Sequence, residues 1–263
     1  MLKREIKVNF KNFIIWLSVL ISIFLVVYLM YPSIIASDNI KMLDEMMKMF
    51  PEEIIKAFNM DISSMSSAFG WLKTEGFVFA LLIIGSYSSI YGSNILLKEE
   101  SDKTIEYLNS LPVSRNKIVV SKVLSGIIYI ISMVLIFSVF NFICLSLSGG
   151  FDKKQYILLS ITPIFSSLVI YFLCLFLSTF TNKTKKMIGI SLGVVFISYV
   201  LQTLSTISSS VEFLKYFSAF TLSDIRNVII NASINPAMII ITIVLSIIFF
   251  ILTIIRYNKK EFV

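Results

Sequence analysis

Six apolar stretches without a single Asp, Glu, Lys or Arg dominate the chain: residues 13–31, 77–97, 123–147, 156–180, 187–204 and 237–255. Crossing the hydrocarbon core of a bilayer takes about 20 such residues in a helix. No water is present there to satisfy backbone N–H and C=O groups, so each stretch must bond internally as a helix. The chain is therefore expected to be an all-α polytopic membrane protein with six transmembrane helices. Composition agrees, since 57% of the 263 residues are hydrophobic and mean hydropathy is +0.88. The first stretch is too long for the apolar segment of a signal peptide and no small-x-small cleavage pattern follows it, so it reads as a retained anchor.

Charge sets the orientation. With the N-terminus in the cytoplasm, 15 of the 23 Lys and Arg fall on cytoplasmic segments, which the positive-inside bias favours. Both termini then face the cytoplasm, and the loop from Tyr31 to Gly76, richer in acids than bases, is external. The net charge of +7 is spread over the ends of apolar runs rather than gathered in one patch, which suits anionic lipid headgroups and speaks against nucleic acid. Cys144 and Cys174 lie inside apolar runs and indicate neither a disulfide framework nor a thiolate metal site. Histidine is absent, which removes the commonest general base and metal ligand.

Four segments outside the spans, and the small residues within two of the spans, carry further expectations. Residues 1–12 place Leu2, Ile6, Phe10 and Phe13 on one helical face and Lys3, Arg4, Lys7 and Lys11 on the other, the pattern of an elbow helix lying in the interface. Between the second and third spans, residues 98–122 form a helix-Pro-helix insert far longer than a connection needs. Ser101 or Asp102 caps a helix bearing Ile105, Leu108 and Leu111, Pro112 ends it, and Ser114 caps the next helix, with Arg115 and Lys117 in its first turn. The external loop 32–76 is amphipathic and rich in Met, including Met42, Met46, Met47, Met49 and Met60. Thioethers suit varied apolar cargo, whereas a Cu(I) site would need closer clustering or a nearby Cys or His. Residues 205–236 are too interrupted to cross a membrane but apolar enough to dip into it, so an external re-entrant hairpin is expected, with Tyr216, Phe217 and Phe220 as an outer gate. Small residues recur at Gly85, Ser89 and Ser93, and as Gly-x-x-x-Gly at Gly189 and Gly193, where helices approach closely.

The insert resembles a family signature. Glu99-Glu100, Thr104-Ile105-Glu106, Leu108 and Leu111-Pro112-Val113-Ser114-Arg115 with Lys122 are similar to the Glu-Glu, Gly-Thr, Leu-Leu, Pro-Val-Ser-Arg, Lys pattern of type 2 permeases of ATP-binding-cassette exporters. Phe213 to Phe220 is similar to that family's Leu-Lys-Tyr-x-Ser-Pro-Phe before the last span. Lys103 stands where the family usually has Gly, and Ala219 where it has Pro. The resemblance implies that residues 98–122 hold a cytoplasmic coupling helix docking on an ATPase. Glu99, Glu100 and Glu106 then make polar contacts, Ile105 and Leu108 apolar ones, and Arg115 and Lys122 hold the lipid boundary. It also implies that the second and fifth spans line a path at a dimer seam, with Gly85, Ser88, Ser89, Ser93, Gly189, Ser191, Gly193, Tyr199 and Gln202 as lining or seam residues.

None of the nine glycines forms a Gly-x-x-x-x-Gly-Lys-Ser/Thr loop, so ATP and Mg would be bound by partners, two copies of a cytoplasmic ATPase, rather than by this chain. A second permease copy or sister permease completes the expected assembly, in the cell membrane of a bacterium. Amphipathic or hydrophobic cargo is expected, peptide toxins or antimicrobial peptides before drugs or lipids, with no catalytic residue in the chain itself. Two rivals remain at this stage: a scaffold or sensor recruiting a cytoplasmic protein, and a membrane-embedded enzyme, for which no Ser-Lys, Asp or Glu constellation at membrane depth is visible.

Overall fold

The structure, a computed structural model, describes residues 1–34, 67–101 and 114–260. Among them are helices and turns only, and six helices are long and apolar enough to cross a membrane. They are α1 (Leu2–Ile34), α2 (Ala68–Ser101), α3 (Arg115–Ser148), α4 (Lys153–Ser178), α5 (Thr184–Ile207) and α6 (Pro236–Lys259). Local chemistry fixes several starts. Ser67 accepts from Gly70 N at 3.0 Å, Ser114 from Lys117 N at 3.4 Å, Asp152 from Gln155 N at 3.0 Å, and Asn235 from Ala237 N at 3.0 Å, with Pro236 in the first turn. The cap expected at Ser114 is thus present.

Two helices are irregular, each for a visible reason. After a first α-helical turn over Ala68–Trp71, α2 passes through a π-helical turn over Leu72–Gly76, where Thr74 donates to the carbonyls of Gly70 and Trp71. In α4, Pro163 cannot donate to the Leu159 carbonyl. Thr162 takes that carbonyl with both its N–H, at 3.2 Å, and its hydroxyl, at 2.8 Å.

The bundle is built the way lipid demands rather than the way water does. α6 buries Thr242, Ser246, Thr253 and Tyr257 while Ile240, Ile243, Ile247 and Ile251 face outward. Thr242 and Thr253 return their hydroxyls to the carbonyls of Met238 and Phe249, each at 2.7 Å, whereas the buried Ser246 hydroxyl has no partner among the described residues. α1 lays Phe13, Leu17, Leu20, Phe24, Tyr28 and Tyr31 along α3, where Phe24 meets Phe137 edge to face at 4.7 Å. Beside them Tyr28 donates to Asn141 Oδ1 at 2.9 Å, and Asn141 donates to the Phe137 carbonyl at 2.9 Å.

At the centre Tyr171 of α4 is fully buried and donates to the Val123 carbonyl at 3.3 Å. Two glycines make room for it. A Cβ on Gly92 of α2 would lie 2.4 Å from the Tyr171 carbonyl oxygen, and one on Gly126 of α3 would lie 2.3 Å from the Tyr171 hydroxyl. α2, α3 and α4 therefore meet at a contact only glycine permits.

Two of the segments singled out in the sequence take the following forms. The elbow expected over residues 1–12 is the unbroken start of α1, with Phe10 54% exposed and Glu5 turned inward. The segment 205–236 consists of two 3-10 stretches, Ser209–Phe217 and Ala219–Ser223, and a short helix, Arg226–Asn231. It is seated on the bundle by polar side chains. Ser218 donates to the Ser198 carbonyl at 2.6 Å and Ser223 to the Thr162 carbonyl at 2.7 Å.

Candidate functional site

An even number of spans brings both chain ends to one end of the bundle, and there the charges converge. Lys122 of α3 is 2% exposed, although it is a lysine beside an apolar run. Its Nζ lies 3.2 Å from Glu5 Oε2 of α1 and 3.1 Å from Glu99 Oε1 of α2. One cation between two carboxylates ties three spans together, and its burial is tolerable only because it is paired. A second pair lies alongside. Lys260, just past α6, is 2.9 Å from the Glu100 carboxylate and donates to the Thr181 carbonyl, beyond the end of α4, at 3.0 Å. Arg115 reaches the Asn258 carbonyl at 3.4 Å, Asn258 donates to Asn116 Oδ1 at 2.8 Å, and Tyr129 donates to the Ile6 carbonyl.

Lys122 was expected at the lipid boundary and instead occupies an interior ion cluster. The cause is the length of α3, which begins two turns before its apolar run and turns Ile118, Val119, Lys122 and Val123 inward. Glu99 and Glu100, expected to contact a partner, are engaged by Lys122 and Lys260 of their own chain. Glu5 escaped the sequence reading. Its signal was a lone acid among four bases, on the face that α1 turns toward α2 and α3. Thr104, Ile105, Glu106, Leu108 and Pro112, the body of the expected coupling helix, lie outside the described residues, as do Met42, Met46, Met47, Met49 and Met60 of the loop.

The small residues separate into two environments. Ser88, Ser89, Ser93 and Ser191 are completely buried within the chain, and their hydroxyls bond to carbonyls of their own helices at 2.8 to 2.9 Å. A Cβ on Gly85 would meet the Phe220 ring at 3.2 Å. These residues seat α2 and α5 inside the fold rather than lining an open face. Gly189 and Gly193 do the opposite, since a Cβ at either would meet nothing within 4 Å. Phe196 and Ile197, next on α5, are 66% and 58% exposed. Tyr199 and Gln202 are half-buried, and Gln202 Oε1 accepts from Thr221.

Of the three aromatics expected at an outer gate, Phe220 is packed in the core beside Phe77, Ile170 and Val195. Tyr216 and Phe217 are 79% and 72% exposed. At the same end Lys215 bonds Glu212 at 2.6 Å and holds its carboxyl below the usual carboxylate range. Arg226 pairs with Asp224 at 2.7 Å.

The sequence profile of the family described as ABC-2 family transporter protein matches residues 1–262. No curated protein matches the chain, and no solved structure does.

Proposed function

This chain belongs to the ABC-2 transporter family, and from that membership we propose that it is the membrane-spanning subunit of an ATP-driven exporter working by alternating access. Permeases of this family generally act with an ATP-binding-cassette ATPase. Here two such subunits would dock at residues 98–122 and bind ATP and Mg, with the charged end of the bundle in the cytoplasm. The cargo is amphipathic or hydrophobic, apolar peptide before drug or lipid, in keeping with an interior rich in Phe and Tyr and free of acids at mid-span.

The observation that carries this reading is the ion cluster at the roots of the coupling segment. Residues 102–113 leave from α2 and return to α3 where Lys122 joins Glu5 and Glu99, and where Lys260 joins Glu100. A displacement applied there reaches α1, α2, α3 and α6 together, because separating any of them would strip a buried charge of its partner. Four spans move as one lever.

The test is cargo-stimulated ATP hydrolysis by the purified permease–ATPase complex. Glu106→Lys and Leu108→Asp are each expected to abolish the stimulation while the permease inserts normally. Full stimulation in both variants would remove the coupling assignment. The open Gly189–Gly193 face of α5 is our candidate for the seam with a second permease. Gly193→Leu is expected to leave the thermal stability of the single chain within about 0.5 kcal/mol, as for an unencumbered surface change, while cysteine cross-linking between α5 helices disappears. Intact cross-linking would place the seam elsewhere.

A further inference from the structure

Beside the ion cluster, a cavity of about 230 Å³ opens between the charged-end halves of α1 and α2, with Thr184 at the start of α5 on its edge. Its rear is buried, Tyr87 being 2% and Tyr91 8% exposed, and its rim is exposed at Asn12, Lys98 and Ser101. Three buried polar atoms at its wall have no partner in the chain: the Tyr87 hydroxyl, Asn94 Oδ1 and Thr184 Oγ1. They are half of the six such atoms found among the described residues. A buried polar group without a hydrogen bond is costly, and its clustering at one cavity marks a place where a ligand supplies what the fold withholds.

The ligand's chemistry follows from the arrangement. Its polar part is uncharged, because the charges of the described residues here balance: Glu5, Lys98 and Lys122 line the cavity and Glu99 pairs with Lys122. An extra ammonium or carboxylate would break that compensation. The hydrogen-bonding groups are not at one level. They lie at Asn9 and Asn12 on α1 and at Asn94 and Tyr87 on α2, the last two seven residues apart along their helix, or about 10 Å. An acyl chain with one polar head would leave the deepest group, the Tyr87 hydroxyl, unpaired. A peptide offers a donor and an acceptor at every residue, about 3.3 Å apart when extended, and the asparagine amides present the same two functions. Between the polar groups the wall is aromatic, with Trp16 and Tyr87 centred 6.0 Å apart and Tyr87 and Tyr91 5.7 Å apart. The cavity is smaller than the roughly 300–1,000 Å³ of a complete drug-sized site, so it takes part of a longer molecule.

We propose that this cleft is a binding subsite for an uncharged stretch of apolar peptide, whose backbone amides pair with Tyr87, Asn94 and Thr184 while its side chains lie against Trp16 and Tyr91. The proposal rests on the reading of the chain as a cargo-moving permease, and makes the charged end the side from which cargo enters. Since Glu5 and Lys122 form part of the wall, an occupant touches the cluster that joins α1, α2 and α3, so cargo and the coupling segment share one set of side chains.

The experiment uses the full chain in zwitterionic nanodiscs, without any ATPase. Trp71→Phe leaves Trp16 as the only tryptophan, and its emission is followed while acetyl-Leu-Phe-Leu-amide is added, with calorimetry on the unsubstituted chain as a second reading. Saturable binding is expected, weakened about fivefold by Tyr87→Phe and again by Asn94→Leu, the loss of roughly one hydrogen bond each. Because the Tyr87 hydroxyl has no partner in the chain, Tyr87→Phe should leave the unfolding temperature unchanged or raised, which a merely structural tyrosine would not. Binding without saturation, unchanged affinity in both variants, equal binding of acetyl-Lys-Phe-Lys-amide, or binding of monoolein in place of the peptide would each overturn the proposal. Coupling to an ATPase that persists without peptide binding removes this subsite alone. Saturable peptide binding by a permease that never stimulates an ATPase removes the exporter reading and leaves the subsite.

Discussion

Lys122→Met is expected to be the most damaging single substitution in the chain, costing about 3–5 kcal/mol of stability, the range for breaking a buried ion pair by removing one partner. Methionine nearly matches lysine in bulk, so the loss is electrostatic. The carboxylates of Glu5 and Glu99, both held by one Nζ, would both lose the Lys122 cation. The measurement is unfolding in detergent micelles, followed by helix content. A rescue identifies the cause: Lys122→Met with Glu5→Gln and Glu99→Gln removes all three charges and should recover most of the loss. Lys215, whose partner Glu212 is 57% exposed, provides the contrast, since water replaces a lost surface partner and Lys215→Met should leave the unfolding curve nearly unmoved. If Lys122→Met unfolds like the unsubstituted protein, the cluster is not what joins α1, α2 and α3.

The second large effect lies at the crossing of α2, α3 and α4. Gly92→Ala and Gly126→Ala add one carbon each, and overpacking of this kind costs about 1–3 kcal/mol, but the two should respond differently to a change at Tyr171. The carbon on Gly126 meets the Tyr171 ring and hydroxyl, side-chain atoms that truncation removes. The carbon on Gly92 meets the Tyr171 backbone oxygen, which stays whatever residue stands there. Tyr171→Leu should therefore relieve Gly126→Ala and leave Gly92→Ala unrelieved. Thermal unfolding of the three single and two double variants beside the unsubstituted chain forms two double-mutant cycles, and equal coupling in both would contradict the packing described.

How far the chain could be read before folding depended on whether a signal was local. The number of spans, their order, and the Ser114 cap follow from neighbouring residues and appear as expected. The limits of the spans did not. α2 and α3 run past their apolar stretches into charged sequence because Glu99, Glu100 and Lys122 find partners there, which hydropathy cannot register. The small residues show the same limit. Gly85 and Gly193 both occur at four-residue small-residue spacings, yet one faces Phe220 and the other faces open space. An amphipathic soluble helix announces its inner face by polarity. A helix apolar all round carries no such mark, and here the inner face is often the one with serine and threonine.

The sequence by itself determined that this chain is a set of lipid-embedded helices with its bases gathered at their ends, because uncharged stretches of that length must close their own backbone bonds. Only the tertiary structure decided which sides of those helices meet. Glu5 and Lys122 stand 117 residues apart, and Tyr171 finds its two glycines on different helices. Such contacts depend on complementary shape and charge between distant segments, so they come into being only when the bundle closes.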